Sequence, residues 1–205
     1  MTDENARITQ ATYDEVAEAF LERTRDPERS SVWLDHFAGR VAPGSVVADL
    51  GGGPGRDCGQ LRARGLRAFC LDRSRGMLRA GRSEFEGERV QGDLRMLPLA
   101  TESLAGAWAN ASLLHLEQTD FVVALAEIRR VLEPGGALHL TLKRGEGAGF
   151  ERKRYGRPRW FQYWGAQELD AVLGRGGFRI LESVTEERPS DAWLVRECAA
   201  GASVS

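Results

Sequence analysis

The chain has 205 residues, enough for one complete hydrophobic core and short for two. Hydrophobic residues make up 42% of it and charged residues 28%, which is typical of a globular domain. The formal net charge of −2 excludes a whole-protein electrostatic attraction to nucleic acid or to a membrane surface.

Cysteine usage and the first residues bear on the compartment. The three cysteines form no C-x-x-C pair, and with only three histidines they predict neither a disulfide framework nor a metal site. The acidic start of the chain has no apolar segment of the kind a signal peptide carries, and no apolar run is long enough to span a bilayer. We therefore expect a cytoplasmic protein without a membrane partner.

Two helices are predicted before the first strand. Apolar residues recur at helical spacing in residues 8–23 and again from Ser30 to Arg40. They form an N-terminal helical cap, residues 1–42, that either covers the functional site or makes a dimer contact. Both a monomer and a homodimer are compatible with this pattern.

Strands and helices then alternate through a core at residues 43–142. The predicted strands are 45–50, 66–72, 88–91, 104–110 and 137–142, and the predicted helices are 56–64, 74–80 and 120–132. Such alternation indicates a parallel, doubly wound sheet with right-handed crossovers. Sheets of this kind bind ligands beyond the carboxyl ends of their strands.

The last third of the chain departs from this pattern. Residues 143–165 are predicted to form a substrate-lid loop, and residues 166–199 a helix (167–173) followed by two strands (178–185 and 192–198). The turn between these strands is too short for a helical crossover, so they should pair antiparallel. We predict one α/β domain, residues 1–205, with a Rossmann-like seven-stranded sheet, mostly parallel, an antiparallel last strand, and helices on both faces.

A glycine-rich turn follows the first strand of the core. Asp49 ends an apolar run, and the spacing Gly51-x-Gly53-x-Gly55 precedes a helix start. Bare backbone and helix N–H groups at such a turn suit a nucleotide-like ligand. The dinucleotide fingerprint G-x-G-x-x-G is not met, because Arg56 stands at the position of its third glycine.

An acid ends the second strand, 21 residues after Gly51. A carboxylate at Asp72 can accept hydrogen bonds from both hydroxyls of a ribose, whichever nucleotide carries it. A helix-capping role is the alternative, but Ser74 can already cap the next helix.

Four ordered motifs resemble those of class I S-adenosylmethionine-dependent methyltransferases. They are Asp49-x-Gly51-x-Gly53-x-Gly55, x-D-x-S-x-x-M-L at residues 71–78, G-D-x-x-x-L-P-L at residues 92–99, and E-x-x-R-V-L-x-P-G-G at residues 127–136. The resemblance implies an enzyme that uses S-adenosylmethionine and releases S-adenosylhomocysteine.

The same resemblance implies roles for particular residues. Asp49 would organise the amino group of the cofactor, Met77 would pack on the adenine, Asp93 would accept the adenine amino protons, and Tyr13 would fold over the cofactor. The full implied cofactor set is Tyr13, Asp49, Gly51, Gly52, Gly53, Asp72, Arg73, Met77, Asp93, Leu94, Asn110 and Ala111.

A general base is needed only for an acceptor that arrives protonated, because the cofactor carries the activation. His115, after the fourth strand, is the candidate catalytic residue. A histidine beside leucines can equally be a satisfied structural residue.

The segment 151–164 mixes basic and aromatic residues where this family builds its substrate lid. Tyr155, Arg157 and Trp160 are the candidate substrate-binding residues. The segment could line a pocket for an anionic or aromatic small molecule, contact RNA through guanidinium groups and stacked rings, or be a solvated loop whose aromatics return to the core.

The main hypothesis is methyl transfer to the oxygen, nitrogen or carbon of a small molecule. The alternatives are a tRNA or other RNA methyltransferase of the same fold and a non-catalytic S-adenosylmethionine-binding regulatory module. A nicotinamide-dependent oxidoreductase is disfavoured by the glycine spacing, and nucleic acid is disfavoured as a partner because the remainder of the chain is acidic.

Overall fold

The computed structural model of the protein describes residues 3–25, 31–188 and 190–202. The predicted helix start at Ser30 and the outermost residues of the 1–205 domain lie outside these ranges. The elements are α1 (Asp3–Thr24), α2 (Ser31–Ala38), β1 (Val46–Leu50), α3 (Arg56–Ala63), β2 (Arg67–Asp72), α4 (Arg75–Ala80), β3 (Glu88–Gln91), β4 (Leu104–Asn110), α5 (Gln118–Val131), β5 (Leu132–Lys143), β6 (Ala148–Glu151), β7 (Arg159–Gln162), α6 (Ala166–Arg175), β8 (Phe178–Glu187) and β9 (Ala192–Ala200).

Seven strands form one sheet in the order β3-β2-β1-β4-β5-β9-β8. The pairs from β3 to β5 are all parallel, and β9 pairs antiparallel with both β5 and β8. The short connection from β8 to β9 inserts the last strand between β5 and the edge. The predicted α/β fold, with its single antiparallel strand, is confirmed.

Apolar side chains bury both faces of the sheet. On one face α5 and α6 supply Phe121, Ile128 and Leu173 to the larger core cluster. On the other face α2 and α3 supply Leu34, Phe37 and Leu61 to a second cluster. Helix α2 therefore belongs to the core of the domain, and α1 alone is the cap among the described parts of residues 1–42.

The predicted lid loop contains regular structure. Strands β6 and β7 form a separate two-stranded antiparallel sheet, with Ala148 opposite Gln162 and Glu151 opposite Arg159. The prediction of a plain loop over residues 143–165 was wrong. Glycines on both sides of β6 interrupt the residue pattern of a strand, and β6 is stable only because β7 pairs with it.

Helix α1 crosses over the carboxyl ends of the strands. The Thr12 hydroxyl donates to the Pro158 carbonyl at 2.7 Å, and the backbone N–H of Trp160 donates to the Thr9 hydroxyl at 2.9 Å. Helix α1 also packs against α4. These two supports hold α1 above the sheet edge where parallel sheets bind ligands. Across the described ranges, no helix has both the length and the apolar composition that a membrane span requires.

Candidate active site

A cavity of about 830 Å³ lies between the carboxyl ends of β1, β2 and β4 on one side and α1 and β7 on the other. All of the predicted cofactor residues line it: Tyr13, Asp49, Gly51, Gly52, Gly53, Asp72, Arg73, Met77, Asp93, Leu94, Asn110 and Ala111. Residues 98 positions apart in sequence, from Tyr13 to Ala111, therefore meet around one space.

The glycine turn forms a wall of bare backbone. Gly51 has a φ of +68°, and a Cβ atom there would overlap the side chain of Ser112. A Cβ atom at Gly52 would overlap the carboxylate of Asp49. The backbone can therefore pass between Ser112 and Asp49 only because Gly51 and Gly52 have no side chain.

Two carboxylates lie behind this wall. Asp49, at the end of β1, accepts the backbone N–H of Cys58 at 2.9 Å. Burial, and next the neighbouring Asp57, raise the pKa of Asp49 well above its usual range. Burial alone would raise the pKa of Asp57 too, but Arg56 at 2.7 Å and the Asn110 amide lower it. The pair thus has one firmly ionised member, Asp57.

Asp72 ends β2 with both carboxylate oxygens on backbone donors. Oδ2 accepts the N–H of Gly53 at 2.8 Å, and Oδ1 accepts the N–H of Ser74 at 2.7 Å. Burial raises the pKa of Asp72 to about 6. The Ser74 hydroxyl accepts the N–H of Met77 and so caps α4, as predicted. Because Ser74 caps the helix, Asp72 is not needed as the cap, and its remaining lone pairs can face the cavity.

Asp93 belongs to a charged cluster at the far end of the cavity. Its Oδ2 lies 2.7 Å from Arg95 and 3.2 Å from Arg73, and both arginines also reach Asp3 of α1 at 2.9 Å. Burial would raise the pKa of Asp93, but the hydrogen bonds from Arg95 hold it below its usual range. The predicted adenine acceptor is thus ionised and fixed in orientation, with Leu94 beside it.

The turn after β4 is strained. Ala111 has a φ of +55°, which a residue with a side chain rarely adopts, and its N–H donates to Thr141 Oγ1 at 2.8 Å. Thr141 in turn donates to Asn110 Oδ1 at 2.8 Å. The next residue, Ser112, has a buried hydroxyl with no hydrogen-bond partner in the part of the chain that the structure describes.

These features fit S-adenosylmethionine. The bare glycine wall, the orphan hydroxyl of Ser112 and the ionised Asp57 line the cavity, which suits the ammonium of an amino acid group. Asp72 and Asp93 line the same cavity, so carboxylate acceptors are available to ribose hydroxyls and an adenine amino group.

His115 is held at both ring nitrogens. Nδ1 lies 2.5 Å from the Trp160 carbonyl, which can only accept, so Nδ1 carries the proton and Nε2 accepts from the Tyr13 hydroxyl at 2.7 Å. Burial, and then the charges of Arg159 and Lys143, lower the pKa of His115 to about 3. The candidate catalytic residue lines the cavity as a neutral histidine that orients Tyr13.

The candidate substrate residues lie elsewhere than predicted. Arg157 pairs with Glu15 at 3.1 Å outside the cavity, and Trp160 faces a second depression on the opposite side of β7. Tyr155 stands behind Arg159, 5.1 Å from its guanidinium carbon to the ring centre. For Trp160 the reason is alternation along β7, since residues one apart face opposite sides of a strand.

Several cavity residues were not named as candidates in the sequence analysis, among them Asp57, Arg159, Phe161 and Trp193. The signal for Asp57 was present, because an acid in the first turn after a glycine loop points back at the loop. The other three depend on β7 and β9 reaching the site, which no local pattern indicates.

The chain is similar to a family of known proteins. Residues 48–140 match the family model described as "Methyltransferase domain". An uncharacterised 37.1 kDa protein of transposon TN4556 from Streptomyces fradiae is 39% identical over 138 residues, which are 62% of this chain and 39% of that protein. A demethylmenaquinone methyltransferase of Mycobacterium sp. strain JLS is 37% identical over 98 residues, 48% of this chain and 41% of that protein. The chain thus spans about two fifths of the length of these curated relatives.

Solved structures share the fold. A Burkholderia thailandensis 1,6-didemethyltoxoflavin-N1-methyltransferase, with 1,6-didemethyltoxoflavin and S-adenosylhomocysteine bound, matches with a TM-score of 0.76 at 22% identity. The match covers 97% of this chain and 90% of that one. At this identity the likeness extends to the arrangement of the elements alone.

Proposed function

We propose that this chain, which carries a class I S-adenosylmethionine-dependent methyltransferase domain, transfers a methyl group from S-adenosylmethionine to a small-molecule acceptor. One observation carries the proposal: residues of three separate motifs, after β1, at the end of β2 and after β3, line a single cavity together with residues of α1 and β4. Acids and glycines that bind no common ligand would not be expected to line the same cavity.

Residues of this chain would hold each part of the cofactor. Gly51, Gly52 and Gly53 would let its amino acid part approach the backbone, with Ser112 within the same wall. Asp72 would accept the ribose hydroxyls, and Asp93 the adenine amino group. When bound, S-adenosylmethionine supplies an activated methyl group on its sulfonium.

The protein contributes alignment and the exclusion of water. Helix α1 and strand β7 close over the cavity, and the hydrogen bonds of Thr9 and Thr12 hold them together. His115, neutral and hydrogen-bonded at both nitrogens, acts as a positioning residue for the Tyr13 hydroxyl. No general base is required for an acceptor that is already a nucleophile.

The size of the acceptor follows from the enclosure. The cavity is shared between cofactor and acceptor, and only a small molecule fits beside a nucleoside within about 830 Å³. Arg159, one of the basic residues that suggested RNA contact, is buried in the cavity wall and is unavailable to a phosphate backbone on the surface. The names of the demethylmenaquinone methyltransferase and the 1,6-didemethyltoxoflavin-N1-methyltransferase give small molecules as their substrates, which supports this choice.

Incubation with methyl-labelled S-adenosylmethionine tests the proposal. A cell extract divided into small molecules, RNA and protein is supplied to the wild type and to Asp72→Asn. We expect label in the small-molecule fraction from the wild type and a loss of at least about tenfold in the variant. The matched control Asp120→Asn changes an acid that pairs with Arg95 outside the cavity lining and should behave as wild type. Label confined to RNA, or no transfer at all, would contradict the proposal.

A further inference from the structure

Arg159 is buried in the wall of the cavity among aromatic rings. Only 6% of the residue is exposed. Its guanidinium carbon lies 5.7 Å from the ring centre of Tyr13, 5.1 Å from that of Tyr155 and 5.0 Å from that of Phe161. One amino group, Nη1, donates to the Tyr13 hydroxyl at 3.2 Å.

The charge of Arg159 has no carboxylate counterpart. Within the described ranges it forms no ion pair, and its buried Nε has no hydrogen-bond partner. Aromatic faces stabilise a guanidinium less than a carboxylate does. A buried charge without a partner is costly, so such a group persists where a ligand completes it.

The neighbouring cations do not share this condition. Lys143 Nζ lies 3.1 Å from Glu151 and 3.2 Å from Asp191, so its charge is already balanced. Lys153 and Arg154 border the cavity but are exposed to solvent. Among these three neighbours and Arg159, only Arg159 is both buried and without a carboxylate partner among the described residues. A single positive charge matches a monoanion better than a phosphate dianion. A planar guanidinium matches the two oxygens of a carboxylate.

We propose that Arg159 is the specificity-determining residue for the methyl acceptor and that it binds a carboxylate of that molecule. This rests on the methyl-transfer function proposed above. Arg159 lines this cavity from β7, opposite the strand ends of β1, β2 and β4 that carry the cofactor residues Asp49, Asp72 and Asn110. The rings of Phe161 and Trp193, which also line the cavity, would contact the apolar part of the acceptor.

Matched neutral and anionic probes test the proposal. Benzoate and benzamide share one shape and differ in charge, and each is titrated into protein saturated with S-adenosylhomocysteine. We expect the wild type to bind benzoate at least about tenfold tighter than benzamide, as a charge-assisted pair in a buried site requires. Arg159→Gln should abolish the difference, and Arg159→Lys, which keeps the charge, should retain part of it.

The chain offers a matched control two residues away. Arg157→Gln alters an exposed arginine on the outer side of the same segment and should preserve the benzoate preference. Equal binding of the two probes by the wild type, or equal loss in the Arg157 and Arg159 variants, would overturn the proposal. Methylated parent compounds without a carboxylate, identified by mass spectrometry after the labelled incubation, would also overturn it. A wild type that fails to bind S-adenosylhomocysteine would instead refute the methyl-transfer function, independently of Arg159.

Discussion

At the scale of single residues, Asp72 makes cofactor binding depend on pH. Burial raises the pKa of Asp72 to about 6 in the free protein. Ribose hydroxyls favour the ionised carboxylate as their acceptor, so bound S-adenosylhomocysteine should lower this pKa and bind more tightly as pH rises through about 6. One pH unit below the pKa, at pH 5, we expect the dissociation constant to be about tenfold larger than at pH 8.

Calorimetric titration of S-adenosylhomocysteine at both pH values measures this effect. Asp72→Asn cannot ionise, so its weaker binding should vary little between the two. If wild type and variant lose affinity in parallel on acidification, another group is responsible and the role of Asp72 is wrong.

His115 gives a second pH prediction, which concerns the stability of the folded protein. Its pKa falls from 6.5 in the unfolded chain to about 3 in the folded protein. The unfolded state therefore binds more protons between these values, and the stability present above pH 6.5 is lost as pH falls. From pH 8 to pH 5 this loss is about 2 kcal/mol. In His115→Gln it should be missing, so the difference in unfolding free energy between wild type and variant should shrink by that amount.

Urea denaturation of wild type and variant at pH 8 and pH 5 measures these unfolding free energies. His36→Gln, at a half-exposed histidine on α2, is the control for the removal of a histidine elsewhere in the protein. An unchanged difference for His115→Gln would mean that the imidazole protonates within the folded protein.

The positions of site residues were predictable where the local backbone determines them. Asp49 and Asp72 stand at strand ends beside a glycine turn, so their position near a ligand follows from local sequence alone. Arg159 shows the limit of that reasoning. The rings around it are those of Tyr13 in α1 and of Tyr155 and Phe161 in the segment 151–164. Packing between such distant parts of the chain produces no periodic pattern in the sequence.

At the scale of elements, the contact between α1 and α4 should control cofactor affinity. The N–H of Gly76 donates to Asp14 Oδ1 at 2.7 Å, and a Cβ atom at Gly76 would lie 2.7 Å from both the Cα and the carbonyl oxygen of Asp14. Gly76→Ala must therefore displace α1. We expect a loss of roughly 1–3 kcal/mol in unfolding free energy from overpacking, and weaker binding of S-adenosylhomocysteine.

Gly174, inside α6, has open space around its Cβ position. Gly174→Ala should therefore stabilise the protein by up to about 1 kcal/mol through helix propensity, with cofactor affinity unchanged. Thermal unfolding and calorimetry distinguish the pair. Should Gly76→Ala bind cofactor as well as Gly174→Ala does, α1 would not be part of the cofactor site.

Element prediction succeeded where periodicity is strong and failed where pairing is non-local. The apolar face of α5, with Phe121, Leu125 and Ile128 buried, is legible as a helix. Strand β6 has four residues, two of them small, and is stable only because β7 pairs with it and α1 packs on β7. The division of the N-terminal cap was likewise hidden, since α1 and α2 are both amphipathic and only tertiary packing assigns them to different sites.

At the scale of the whole molecule, alternation of strands and helices predicted the sheet because a parallel strand pair needs a crossover. The same rule places the ligand at the carboxyl edge of the sheet. It does not predict the side of the cavity opposite this edge, which α1 and β7 form. The strand-end side of the cavity is therefore built by local motifs, and the opposite side by long-range contacts.

The central claim is that the strand-end side of the cavity binds S-adenosylmethionine and its product. Calorimetric titration of the intact protein with S-adenosylhomocysteine and, separately, with NAD tests it most directly. The account predicts micromolar-range binding of S-adenosylhomocysteine, a loss of at least about tenfold in Asp72→Asn and near-wild-type binding in Asp120→Asn, with no measurable heat from NAD. Absence of S-adenosylhomocysteine binding, or NAD binding of similar strength that Asp72→Asn also weakens, would contradict it.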